Sequence, residues 1–426
     1  MIPALIKIFV VFAIILIFNR LKLNLGLSII TGALILGMWM GLGFRDLGSS
    51  LLGTVTEMET ISLGLIVGLI MVLSGLMDKS GQMGRMVKGL SVLSKDGRTV
   101  GSVMAALIGL LPMPGGALFS APMVEASLEK DCVAREQKTA LNYWFRHIWE
   151  YWWPLYPGVI LAVALMEVKT WHFIAMMAIM TPVSVLAGIF FILKPIGKIE
   201  VQEQGGFSWE GVREFIWEMM PILLVILFIF LLPLLLGVIE TLGIRIDVDS
   251  GLSLLPGLAI AIIWVWRVNR IPVKQFLSVI IGKGTWSMVF LIIAVMVFKG
   301  MMEDSQAVIQ IRNELMAYHI PVMLIILIMP FLSGLITGIA VGFVGAAFPI
   351  IIPMFHSPDL IDFLSTAGLA YVFGYVGMIL SPVHLCFLVS KDYYRAGFLG
   401  SYKYVLKPGL TVIAIAVILF AFQRAL

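Results

Sequence analysis

Charge is scarce in this sequence. Asp, Glu, Lys and Arg make up 13% of its 426 residues, against about 25% in a soluble globular domain. With 60% hydrophobic residues, no compact shape hides the apolar surface from water, so a soluble protein is excluded. Cysteine is nearly absent. Cys132 and Cys386 are the only two, too few and too scattered for a disulfide framework or a metal site. No nucleophile motif or phosphate-binding loop is found, so neither an enzyme nor a resident cofactor is expected. The formal charge of +4 is carried between apolar runs, where orientation signals belong, which excludes a nucleic-acid partner.

What is abundant is apolar sequence in runs of membrane-spanning length. They fall at about 2–19, 25–43, 61–77, 100–126, 140–166, 171–193, 219–239, 252–266, 285–302, 320–354, 366–390 and 405–423. A helix needs about 20 apolar residues to cross a bilayer. The first run ends on Asn19, Arg20 and Lys22 with no small-residue cleavage site, so it reads as a retained span rather than a signal peptide.

Residues 194–218 form the most polar stretch in the middle and read as a cytoplasmic linker between a first repeat, 1–193, and a second, 219–426. "VLSGLMDKSG" (Val72–Gly81) aligns with "VFKGMMEDSQ" (Val297–Gln306), pairing residue 75 with residue 300, an offset of 225. The same offset pairs Met83, Met86, Leu90 and Leu93 with Val308, Ile311, Leu315 and Tyr318. These residues step by three and four, the pattern of an amphipathic helix at the membrane interface. It also pairs Pro157 with Pro382.

Within these runs the backbone is broken on purpose. "PMPGGALFSAP" (Pro112–Pro122) and "SGLITGIAVGFVGAAFP" (Ser333–Pro349) place glycine and proline at mid-membrane. Each suits the tip of a re-entrant helical hairpin, over about 100–126 and 320–354. Runs 140–166 and 366–390 carry "WWPLYPG" and "ILSPVH", and a proline inside a span breaks the helix. The expected fold is therefore an all-α polytopic membrane protein of two inverted repeats. Each has five transmembrane crossings and one re-entrant hairpin. Of the 29 Lys and Arg residues, 21 fall in loops on one side, seven on the other, and Arg146 within a span. That bias makes the first side cytoplasmic and turns both termini outward, in a multi-pass cell-membrane protein.

Broken helices survive in hydrocarbon only around protein or a wet cavity, and freed helix ends bind ions there. Candidate substrate ligands are Pro114, Gly115, Gly116, Ser120, Asn142 and Arg146 in the first half, with Thr337, Gly338, Gly342, Ser381 and Pro382 in the second. His147, Glu150 and His384 are candidates for ion or proton coupling, because ionisable groups at this depth are costly. Arg146 and Glu150, four apart, either clamp a carboxylate and carry a proton or neutralise each other. The aromatic residues Trp144, Trp149, Tyr151, Trp152, Trp153 and Tyr156 either pack or wall a substrate.

The hairpin, broken helix, linker and inverted counterpart resemble the ion-transporter superfamily, which includes the divalent-anion/sodium symporters. "LPMPGGALFSAPMV", "NYWFRHIWEYWWPLYPG" and "SPVHLCFLVSKDYY" are similar to an integral-membrane family that carries a domain-of-unknown-function label. The resemblance implies a homodimer with an elevator mechanism. The Ser-Asn-Thr tips of the sodium-coupled dicarboxylate members are replaced here, so their carboxylate and sodium coordination does not carry over. The function expected is secondary active transport of a small organic anion of carboxylate type, coupled to H⁺ or Na⁺, with membrane lipid around it. The alternatives are a cation/proton antiporter using Glu150 and His147, and a non-transporting receptor.

Overall fold

Backbone without water to bind must close its hydrogen bonds within helices, and among the described residues helices account for nearly all regular structure. The computed structural model describes residues 2–88, 96–113, 116–128, 133–199, 209–241, 254–355 and 357–425. The first half opens with α1 (Ala4–Arg20) and α2 (Leu25–Met40), followed by a short helix α3 (Phe44–Thr56), the span α4 (Met58–Lys79) and α5 (Gln82–Lys88). Then come α6 (Gly97–Ile108), α7 (Ala117–Ser127), α8 (Arg135–Arg146) and α9 (Pro157–Leu165). It closes with α10 (Thr170–Met177), α11 (Met180–Gly188), a π-helical turn and α12 (Lys194–Ile196).

The second half runs through α13 (Trp209–Thr241), α14 (Leu254–Val268), α15 (Val273–Ile280), α16 (Lys283–Asp304) and α17 (Ala307–Ala317). It continues with α18 (Val322–Thr337), α19 (Ala340–Ile351), α20 (Leu360–Ile379), α21 (Leu385–Tyr394) and α22 (Phe398–Ala425). Six helical stretches among the described residues are long and apolar enough to cross a membrane: Met58–Lys79, Thr170–Ile196, Trp209–Leu232, Val273–Asp304, Leu360–Ile379 and Phe398–Gln423. The chain is an α-helical, membrane-embedded protein.

Boundaries follow local chemistry. The Asn24 side chain accepts the Gly26 amide at 2.9 Å to start α2, and Gly41, at φ +107°, ends it in the left-handed conformation. Asp359 starts α20 by accepting the Ile361 and Asp362 amides at 2.7 and 3.0 Å. Asp96 caps α6 and is gripped by Arg98. Partial burial works against ionisation of this carboxyl, but the bonds from Arg98 outweigh it and hold it below the usual carboxylate range.

Several sequence expectations are corrected here. The linker is shorter than 194–218, because helix continues to Ile196 and α13 begins at Trp209. Helices α3 and α15 lie where no apolar run was seen; they are short and amphipathic, and each packs on a span of the other half. A Cβ on Gly300 of α16 would strike the Thr54 hydroxyl of α3, and one on Gly75 of α4 would lie 2.7 Å from Val279 of α15. Met83 and Met86 are buried on α5, as Ile311 and Leu315 are on α17. Leu90 and Leu93 lie outside the described residues.

The interior is built from α8, α9, α19 and α20. Every residue from Val341 to Ile351 is buried, as is every residue from Lys138 to Arg146, and helices apolar or enclosed all round belong in a core. Helices such as α1, α13 and α22 instead present Ile6, Phe230 and Phe422 outward. Helices α18 and α20 meet backbone to backbone. A Cβ on Gly334 would strike the Gly374 carbonyl, and one on Gly377 the Phe331 carbonyl. Small residues permit this approach between membrane helices. Gly377→Ala is therefore expected to lower the melting temperature of the detergent-solubilised protein by the equivalent of about 1–3 kcal/mol. Gly84→Ala, whose added methyl meets nothing within 4 Å, should not lower it.

Candidate functional site

Helix α8 stops at Arg146 and the chain resumes helix only at Pro157. Helix α20 stops at Ile379 and resumes at Leu385. Helix α6 ends at Ile108 and α7 begins at Ala117, and hairpin α18–α19 turns through Gly338 and Ile339, with Gly338 at φ +66°. These four interruptions face one another. Between them lies a cavity of about 160 Å³ bordered by Met113, Arg146, His147, Glu150, Tyr156, Gly158, Ile339, His384 and Cys386, among others. Helices α4 and α16 add Met71 and Met288. Larger clefts of about 750 and 630 Å³ touch one interruption or none. At about 30 Å³ per water in the liquid, the central cavity holds about five waters or one small solute.

Breaking helices frees carbonyls, and at the ends of α6, α8 and α20 protein donors take them up. Arg146 Nη1 donates to the Ile108 carbonyl at 3.1 Å and Nη2 to the Met113 carbonyl at 2.8 Å. Trp149 donates to Ala106 at 2.8 Å, and Tyr156 to Gly109. The Tyr375 and Tyr371 hydroxyls on α20 donate to the His147 and Glu150 carbonyls at 2.7 and 2.9 Å. In return Tyr143 on α8 donates to Ile379 at 2.9 Å, and Tyr402 to Leu380 at 2.6 Å. The amide ends are treated differently. The N-cap residues of α9, α19 and α21, namely Tyr156, Ile339 and His384, place no side chain on the first turn, and all three border the cavity.

Arg146 and Glu150 do not share a helical face, because α8 has ended. Glu150 instead lies 3.8 Å from His147 Nε2. Arg146 is 2% exposed, and its Nε has no acceptor among the described residues. His147 and His384 come from opposite halves, yet their Nε2 atoms lie 3.1 Å apart. His147 Nδ1 is 2.6 Å from the Tyr143 carbonyl and His384 Nδ1 is 3.2 Å from the Met378 carbonyl. A carbonyl only accepts, so both Nδ1 atoms carry their protons. With both Nδ1 atoms donating, the two Nε2 atoms can share either one proton or a metal ion. The fold also brings Cys386 Sγ within 4.8 Å of both rings.

Of the other candidates, Gly338 borders the cavity, and Gly116 lies so close to the Arg146 guanidinium that a Cβ would collide with it. Pro114 and Gly115 lie outside the described residues. Asn142 donates to the Ala117 carbonyl at 3.0 Å and to Ser390 Oγ at 2.9 Å. Ser120 donates to the Ala117 carbonyl at 3.4 Å and Thr337 to the Ser333 carbonyl at 2.8 Å. The Gly342 carbonyl accepts from Ser333 at 3.2 Å, and Ser381 Oγ accepts the Val383 amide at 3.3 Å. Like Pro382, these residues are not on the cavity wall. Of the aromatic group only Tyr156 reaches it. Trp144 is anchored on the Ser184 carbonyl and Trp152 on Thr181. Sequence reasoning missed Cys386, Met71 and Met288. The spacing of Cys386 two residues after His384 is the one signal that offered it.

A family model described as Protein of unknown function (DUF401) matches residues 2–422. No curated protein matches the chain.

Removing the Tyr371 hydroxyl takes away the donor of the buried Glu150 carbonyl, so Tyr371→Phe should cost about 1–3 kcal/mol, read as a lower melting temperature in detergent. Tyr375→Phe should cost less, about 0.5–1.5 kcal/mol, because the His147 carbonyl also accepts the Glu150 amide at 3.2 Å. Tyr318→Phe, at a side chain 60% exposed, should stay within about 0.5 kcal/mol of the parent.

Proposed function

The chain belongs to the DUF401 family, and we propose that it is a secondary active transporter for a small organic anion, of carboxylate type, driven by a gradient of H⁺ or Na⁺. One observation carries this reading. Around the central cavity carbonyls at the ends of α6, α8 and α20 are taken by protein donors, while the amide ends of α9, α19 and α21 lack a side-chain cap. Helix N-termini carry partial positive charge and bind anions, and C-termini do the reverse. A site whose negative ends are occupied and whose positive ends are open favours an anion over a cation. That same asymmetry weighs against the cation/proton antiporter. Arg146 strengthens it with a free Nε donor.

In this reading the two halves, 1–193 and 219–426, are inverted repeats. Helices starting at residues 58, 82, 97 and 135 have counterparts starting at 283, 307, 322 and 360, each 225 residues on. The contacts of Thr54 with Gly300 and of Val279 with Gly75 are related by the same offset. Five crossings per half, an odd number, turn the second half over and place both termini on the outer side of the cell membrane. The hairpins and broken helices then form the moving part of an elevator. Helices α4 and α16 belong to the fixed part, which also supplies the contact between two copies in a homodimer.

Uptake by proteoliposomes tests the anion directly. Small carboxylic acids should compete with one another for uptake, while their amides, equal in size but uncharged, should not. Arg146→Gln should abolish uptake in protein that remains monodisperse. Equal competition by the amides, or full uptake by Arg146→Gln, overturns the reading.

A further inference from the structure

We propose that His147, His384 and Cys386 bind a Zn²⁺-class metal ion whose remaining coordination position opens into the central cavity. The donor set is that of zinc, two imidazole nitrogens and a thiolate. Tetrahedral ligands at the usual zinc–nitrogen distance stand about 3.3 Å apart, and the two Nε2 atoms are 3.1 Å apart. The thiolate and imidazole edge would be roughly 3.6 Å, against an upper bound of 4.8 Å here. Metal-binding histidines commonly direct the other ring nitrogen to a carbonyl, which fixes the tautomer. Both rings do so, on Tyr143 and Met378. All three ligand side chains are buried, and all three border the cavity.

Charge identifies the ion further, and this step rests on the anion-transport reading. Arg146 and Glu150 cancel, so with a neutral thiol the cavity has no net charge for an anion to meet. A divalent ion on a Cys386 thiolate leaves one positive charge, and a monocarboxylate brings the sum to zero. A monovalent soft ion would leave none. Three protein ligands with a fourth position open are the arrangement in which zinc takes an exogenous oxygen, here an oxygen of the transported acid.

Cobalt(II), a spectroscopic substitute for zinc, tests the site without transport. Titrating it into the purified full chain should give tetrahedral d–d bands and a thiolate-to-cobalt charge-transfer band, saturating at one ion per chain and displaced by zinc. Cys386→Ser should remove the charge-transfer band, and His384→Ala should weaken binding by more than about a hundredfold. The absence of any cobalt spectrum from the wild-type protein overturns the site, as does a charge-transfer band that survives Cys386→Ser. If cobalt binds as expected and no acid is carried, the site stands and transport falls. If chelator-stripped protein that binds no cobalt still carries acids at full rate, transport stands and the site falls.

Discussion

A polypeptide that stops its helices inside hydrocarbon must supply partners for every carbonyl it releases. That requirement organises the centre of this protein. The donors come from the opposing broken helix. Tyr371 and Tyr375 on α20 hold carbonyls of the 147–156 segment, and Tyr143 on α8 holds the end of α20. Each interruption is therefore bonded to the other. A phenol suits this task because its ring packs as an apolar body while its hydroxyl donates. The burial of α8 and α20 follows from the exchange, since these bonds would be lost to competition in contact with bulk water.

The result is a separation of sign along the backbone. Carbonyl ends of α6, α8 and α20 are bound internally, and the amide ends of α9, α19 and α21 meet at the cavity. Arg146 takes part in both: two of its nitrogens close the end of α6 and the third remains available. The two imidazoles add a place where a proton or a metal ion can sit between nitrogen atoms. These features come from four separate segments, two in each half, which is why neither half alone contains a site.

Much of this was legible in the sequence, because its causes are local. Proline and glycine mark backbone that cannot continue as helix, and described helices stop near such residues at Ile108, Arg146, Thr337 and Ile379. Helices α3 and α15 were not visible: their apolar faces are short and are completed by glycines of the other half, Gly300 and Gly75. The partner of Glu150 was also misread. Spacing by four implies a shared face only while the helix continues, and here it ends at Arg146. The contact of His147 with His384 joins residues 237 apart in the chain, beyond any periodic signal. Cys386 was passed over because two cysteines do not make a cluster by count.

The break between α6 and α7 has a mechanical consequence. Its flanks are fastened to the segment that faces it by a guanidinium, an indole and a phenol, from Arg146, Trp149 and Tyr156. A piece riveted at three points to its neighbour cannot swing as a door. Under the elevator reading proposed above, the unit that shifts past α4 and α16 therefore takes this hairpin and the 147–156 segment together, with Met71 and Met288 as the soft, unbranched surface between the two parts.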